Sequence, residues 1–238
     1  MPISHKYNCI FVHIPRSGGT SIEETLEIDH ADYKVENRDI MHGWIDSEDL
    51  KAYGFVSPAL QHLSANDLRR ILPDETFSNY FKFAIVRNPW DRMLSQYLFE
   101  RLFKQFTKGR ETRKEFSFDE FDDYIRGLSA FLMQEQYQFI TDEKGECLVD
   151  FIGRFENLAD DFQTICKRMG ISERYLPHIN TSKHTHYSAY YTEEIKQRVQ
   201  EVFAKDIELF GYQFEKENWM DNGTHSLIKG IRQKLYRR

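Results

Sequence analysis

Apolar residues fall along this chain in short blocks, and two patterns alternate: continuous runs of strand length, then stripes at helical spacing. The first block, Cys9, Ile10, Phe11 and Val12, predicts a buried strand. It breaks at Pro15 into Ser17, Gly18 and Gly19, and Thr20 and Ser21 then open a pattern with Ile22 and Leu26 inward, which predicts a helix. Residues 30–56 are polar and mixed and predict loops with a short strand. Residues 57–62 predict a strand ending at His62, and Ser64 with Asp67 caps a helix expected over 65–72. The run YFKFAIV (residues 80–86) is the strongest strand signal and suits a sheet centre. Arg87 ends it, Asn88 is a good N-cap, Pro89 fits the first helical position, and Trp90, Leu94, Tyr97 and Leu98 form a helical stripe.

The second half continues in the same manner. Residues 103–115, with Lys104, Lys108, Arg110, Arg113 and Lys114, predict a loop or exposed helix end, a solvated face before an acceptor-gating lid. Phe116, Phe118, Phe121 and Tyr124 predict a helix packed on the body. A turn at 142–145, a strand over 147–155 and a helix over 156–169 ended by Gly170 follow. A polar loop at 177–187 then leads to one long helix over 192–210. Alternating strands and helices without internal repeats predict an α/β fold, a single domain whose central parallel sheet is flanked by helices. The expected domain covers residues 1–215. Residues 216–238 form a basic tail (Lys229, Arg232, Lys234, Arg237, Arg238) with an apolar helical face, suited to packing on the domain or a neighbour, or to a membrane surface or acidic glycan.

Chemistry concentrates in the first strand, turn and helix. Free N–H groups and the positive helix end converge on one spot. Gly18 and Gly19 let backbone approach an anion, while Arg16, Ser17, Thr20 and Ser21 add charge and donors. This is the pattern of a phosphate loop for a nucleotide-type ligand; the competing reading is a glycine turn without one. Against the ATP-binding pattern G-x-x-x-x-G-K-[ST], His13 stands where the first glycine belongs and Gly19 where the lysine belongs. The residue that reaches a triphosphate is missing, and no strand ends in a clear magnesium aspartate, so a small-molecule kinase is the weaker alternative. A second anion site is available at Arg87, a strand end, with Ser95 about two turns into the next helix. His62 is expected at a strand end just before a helix start, where α/β enzymes put working residues, and His13 at the end of the first strand.

Composition narrows the class. A chain of 238 residues with 40% apolar and 15% aromatic content is globular, and a net charge of −6 argues against nucleic acid as a partner. Three scattered cysteines lack metal spacing and point to a reducing compartment. The start, MPISHKYN, has no apolar signal region, so a soluble, cytoplasmic protein is expected. No metal is expected.

The loop PRSGGTS and the run FAIVRNPWDRMLSQY, about seventy residues apart and in this order, resemble the two donor-binding elements of carbohydrate-type sulfotransferases. Similarity continues through FIGRFENL, HINTSKH and KDIELFGYQF, up to about residue 215. The resemblance implies a P-loop-like sulfotransferase fold and the donor 3′-phosphoadenosine 5′-phosphosulfate (PAPS), with 3′-phosphoadenosine 5′-phosphate (PAP) as product. It implies an acceptor hydroxyl, of a carbohydrate or glycoconjugate. Residues 16–21 would hold the phosphosulfate, and Arg87 and Ser95 the 3′-phosphate. Arg154 would lie near the adenine or 3′-phosphate, and Ser182 and Lys183 in a late loop over the nucleotide. His62 would be the base, with His13 its rival, and Arg16 the charge on the leaving oxygen, where the family more often has lysine. A fold of this kind that binds nucleotide or glycan without turnover is the remaining alternative.

Overall fold

The computed structural model describes residues 2–28, 36–55, 57–108 (side chains to Arg101), 116–128, 134–177 and 185–215. Four short segments pair into one sheet, in the order β1 (Ile3–Ser4), β2 (Cys9–Val12), β3 (Phe81–Val86) and β4 (Phe151–Arg154). β1 runs antiparallel to β2; the other pairings are parallel, with Val12 opposite Ala84 and Val86 opposite Arg154. The expected parallel sheet is thus present, with one antiparallel edge strand. α1 (Gly19–Thr25), α2 (Ser47–Tyr53), α3 (Ala65–Ile71) and α4 (Asp74–Asn79) lie between β2 and β3 in the chain. α5 (Pro89–Lys108), α6 (Phe118–Arg126) and α7 (Gln136–Ile140) precede β4, and α8 (Leu158–Arg168), α9 (Glu193–Val202) and α10 (Ala204–Phe210) follow it. Among the described residues no helix is long and apolar enough to cross a membrane.

The continuous apolar runs of β2 and β3 arise because both sheet faces are covered. Side chains alternate across a strand. Cys9, Phe11, Phe83 and Ile85 pack on Ile22 and Leu26 of α1 and on Phe162, Ile165 and Cys166 of α8. Ile10, Val12, Ala84 and Val86 face the other way, toward Ala65 and Leu68 of α3 and Phe139 and Ile140 of α7. A third apolar cluster joins Trp90, Met93, Leu94 and Tyr97 of α5 to α6 and α9. β2, β3 and β4 therefore end at the same edge, where the turn before α1, Arg87 and Phe155 emerge. That edge is where parallel sheets hold ligands.

Several expectations are corrected by the structure. Residues 57–62 make no strand: Ala59 forms one bridge with Trp44, and Leu60–His62 is a single 3₁₀ turn. His62 therefore sits on a turn, not at a strand end. The stretch 30–56 contains α2, capped by the Asp46 carboxylate, which accepts from the Glu48 and Asp49 amides. The strand expected over 147–155 shrinks to β4, because Leu148 turns back to donate to the Ile140 carbonyl. The long helix over 192–210 breaks at Phe203, where the Glu135 carboxylate accepts from the Lys205 and Asp206 amides and starts α10 afresh. α5 continues to Lys108, so the start of the 103–115 stretch is the helix end, one of its two expected readings; residues 109–115 lie outside the described residues. Ser182, Lys183 and the basic tail also lie outside them. The capping box at Ser64 and Asp67, and the Asn88 cap of α5, form as expected.

Phe83 is fully buried between Phe11 and Phe81 on the α1–α8 face. Phe83→Ala should cost about 3–5 kcal/mol of unfolding free energy, measured by urea denaturation; a loss well under that range would mean this face repacks.

Candidate active site

The site grows from the turn after β2. Arg16 has φ 68° and Gly18 φ 82°, both left-handed, which an arginine adopts only when its surroundings enforce it. The enforcement comes from α5 and from Arg87 just before it. Arg92, 2% exposed, donates from Nε to the Pro15 carbonyl at 3.2 Å, and Arg87 donates from Nη1 to the Arg16 carbonyl at 2.8 Å. Two buried guanidinium groups thus hold consecutive carbonyls of the turn. Burial holds the pKa of Arg92 down to about 10, opposed by the Asp206 carboxylate.

Both glycines are required by close packing. A Cβ on Gly18 would stand 2.9 Å from Leu158, and one on Gly19 would stand 2.0 Å from Nε2 of His13. Gly19, Thr20 and Ser21 form the first turn of α1, where amide N–H groups have no intrahelical acceptor. The Ser17 hydroxyl is buried and has no hydrogen-bond partner among the described residues. The loop therefore presents donors in want of an acceptor, which fits an anionic group.

The second expected anion site abuts the first. Arg16 donates from Nε and Nη2 to the Ser95 hydroxyl at 3.3 and 3.2 Å, and its guanidinium lies 4.4 Å over the Phe99 ring. Burial, then the neighbouring Arg87 charge, lowers the Arg16 pKa to about 10. Arg87 is held by Asp91, which accepts from Nε and Nη2 at 2.8 Å each, and stacks 4.0 Å over Phe155. These groups open on one cavity of about 720 Å³, the size of a nucleotide-type site. Arg16, Gly18, Gly19, Thr20, Ser21, Arg87 and Ser95 all line it.

Ser17, Arg154 and His62, also expected at the site, do not line the cavity. The Arg154 guanidinium bonds the Phe210 carbonyl and lies over the Tyr212 ring, away from it. His62 sits behind His13, its ring 4.6 Å from the His13 ring. Because a carbonyl only accepts, the His62 Nδ1 at 3.1 Å from the His13 oxygen carries the proton, leaving Nε2 as the basic nitrogen. Burial, then His13, pushes the His62 pKa down to about 3. His13 does line the cavity, and its Nδ1 lies 2.6 Å from the buried Glu23 carboxylate.

Sequence reasoning missed several residues here. Asp91 follows Arg87 by four positions on a helix start, a spacing that signals an ion pair. Tyr187, His186 and Glu215 also line the cavity, but nothing in the polar stretch before Tyr187 marks them in advance. Gln136 and Asp206 are fully buried behind Arg87; their contacts span 49 and 70 residues of sequence, beyond any local pattern.

Several known proteins are similar to this chain. Carbohydrate sulfotransferase 10 of Xenopus laevis is 25% identical over 88% of this chain and 66% of its own length. Its counterpart in Gallus gallus is 23% identical over 88% of the chain and 65% of its own length, so the chain spans about two-thirds of these relatives. An uncharacterised Archaeoglobus fulgidus protein is 27% identical over 50% of the chain and 92% of its own length. A crystal structure of a sulfotransferase from Alicyclobacillus acidocaldarius aligns over 87% of each chain at 15% identity, with a TM-score of 0.37. The family match runs over residues 1–213, taking in the loop, Arg87 and Ser95, and the chain belongs to the Sulfotransferase family.

Proposed function

We propose that this protein transfers the sulfuryl group of PAPS to a hydroxyl of a carbohydrate or glycoconjugate. One observation carries the reading: the glycine loop with Arg16, and the Arg87–Ser95 arm, open on a single cavity of about 720 Å³. A donor with an anion at each end suits two such arms, the phosphosulfate on the loop and the 3′-phosphate on Arg87 and Ser95. Membership of the family supports the donor, and the carbohydrate sulfotransferases among the relatives support the acceptor class.

In this transfer the bond from sulfur to the 5′-phosphate oxygen breaks while one forms from the acceptor oxygen to sulfur. The chain contributes position and charge. Arg16 and the loop amides stabilise the charge that grows on the leaving oxygen; a guanidinium keeps its proton throughout. His62, half-buried beside His13 and off the cavity wall, takes the proton at Nε2 from an acceptor that enters past the donor cavity. Its pKa of about 3 without ligand is low for a base near neutrality, and a bound anion nearby favours the charged imidazole and raises it. His13, on the cavity wall with Glu23 behind it, is the competing base.

Thermal shift tests the ligand assignment. PAP should raise Tm strongly and ATP with magnesium little; the reverse ranking favours a nucleotide kinase. PAP binding with no sulfate transfer across a panel of glycans and phenols would leave an inert binding module. For the base, His62→Ala should cut turnover about 100- to 10,000-fold with PAP affinity nearly intact, whereas loss confined to His13→Ala would move the role to His13. Stability supplies a pH test. His62 falls from its ordinary 6.5 to about 3 on folding, so its contribution is full above 6.5 and is lost as pH falls toward 3. Urea unfolding of wild type and His62→Gln should give a free-energy difference that changes against wild type between pH 7.5 and 5; a constant difference contradicts the depressed value.

A further inference from the structure

Arg87 leaves the sheet one residue after β3 ends, so its backbone N–H and carbonyl have no strand partner and need one. Gln136, the first residue of α7, supplies both. Its Oε1 accepts from the Arg87 N–H at 2.8 Å and its Nε2 donates to the Arg87 carbonyl at 2.9 Å. The side-chain amide thus acts as one further residue of sheet. Gln136 is itself held: its N–H and that of Tyr137 donate to the two oxygens of Asp206 at 2.7 and 2.9 Å. Gln136 and Asp206 are both fully buried.

The clamp bears on recognition because Arg87 works at the end of a long side chain. A small rotation of its backbone is magnified at the guanidinium, and misplacement by about 1 Å in such a site is costly. The guanidinium's other contacts, Asp91, the Arg16 carbonyl and the Phe155 ring, act on the end of the side chain and leave the Arg87 backbone to Gln136. Gln136 alone addresses both backbone polar groups of Arg87 among the described residues.

We infer that Gln136 is a positioning residue for the 3′-phosphate: it fixes the direction in which Arg87 enters the cavity, and so makes the site prefer a nucleotide phosphorylated at that position. This rests on the PAPS reading above. The alternative is a clamp that only satisfies two buried groups and adds stability without selectivity.

Calorimetric titration of the full chain with PAP and with adenosine 5′-phosphate, which lacks the 3′-phosphate, separates these. Wild type should bind PAP far more tightly. Gln136→Met removes both hydrogen bonds and should weaken PAP roughly tenfold while leaving adenosine 5′-phosphate within about twofold, so that the preference shrinks. Should that variant fail to fold, Gln136→Glu, which keeps the acceptor for the Arg87 N–H and loses the donor to its carbonyl, is read the same way. A wild-type PAP preference retained in the folded variants, with only Tm lowered, overturns the inference and leaves the PAPS reading standing. A wild-type protein with no preference for PAP overturns both.

Discussion

Two hydrogen bonds from buried arginines to the turn after β2 hold this site together. Arg92 on Pro15 and Arg87 on Arg16 tie consecutive carbonyls of the turn to the start of α5. They add to the turn's own hydrogen bond, from the Ser17 N–H to the Ile14 carbonyl at 3.3 Å, in keeping Arg16 at φ 68°. Burying guanidinium groups is costly unless their donors are used. Here they are spent on carbonyls, on Asp91 for Arg87, and on proximity to Asp206 for Arg92. The loop and the Arg87–Ser95 arm are therefore one mechanical unit, and the distance between two prospective anion sites is set by the fold.

Within that unit a chain of net charge −6 sets Arg16 and Arg87 side by side on the cavity wall. The Arg87 guanidinium is oriented by the Asp91 carboxylate, and the His13 ring is oriented by Glu23. Asp91 partly cancels the Arg87 charge and in exchange fixes its direction. Selectivity then comes from geometry more than from the total charge, in keeping with a ligand recognised at two ends.

Much of this was legible in the residues. The runs at Cys9–Val12 and Phe81–Val86 could only be strands buried on both faces, and the caps at Ser64 and Asn88 are local hydrogen-bond chemistry that needs no tertiary partner. Arg16, Gly18, Gly19, Arg87 and Ser95 were legible for the same reason, since a short loop or one helix brings each set together. What failed was non-local. Leu60–His62 was misread as strand because its apolar residues pack on a core built by distant elements. The break at Phe203 depends on Glu135, about seventy residues earlier in the chain. Arg154 follows a strand end like a ligand residue, yet the Phe210 carbonyl, 56 positions on, claims its guanidinium. Gln136 has no local signature at all.

The most direct test of the account is a crystal structure of the full chain soaked with PAP. One phosphorus atom should lie against the amides of Gly19, Thr20 and Ser21, and the other beside Arg87 and Ser95, with a single adenosine spanning the cavity between them. Electron density for PAP that approaches neither the glycine loop nor Arg87 would contradict it.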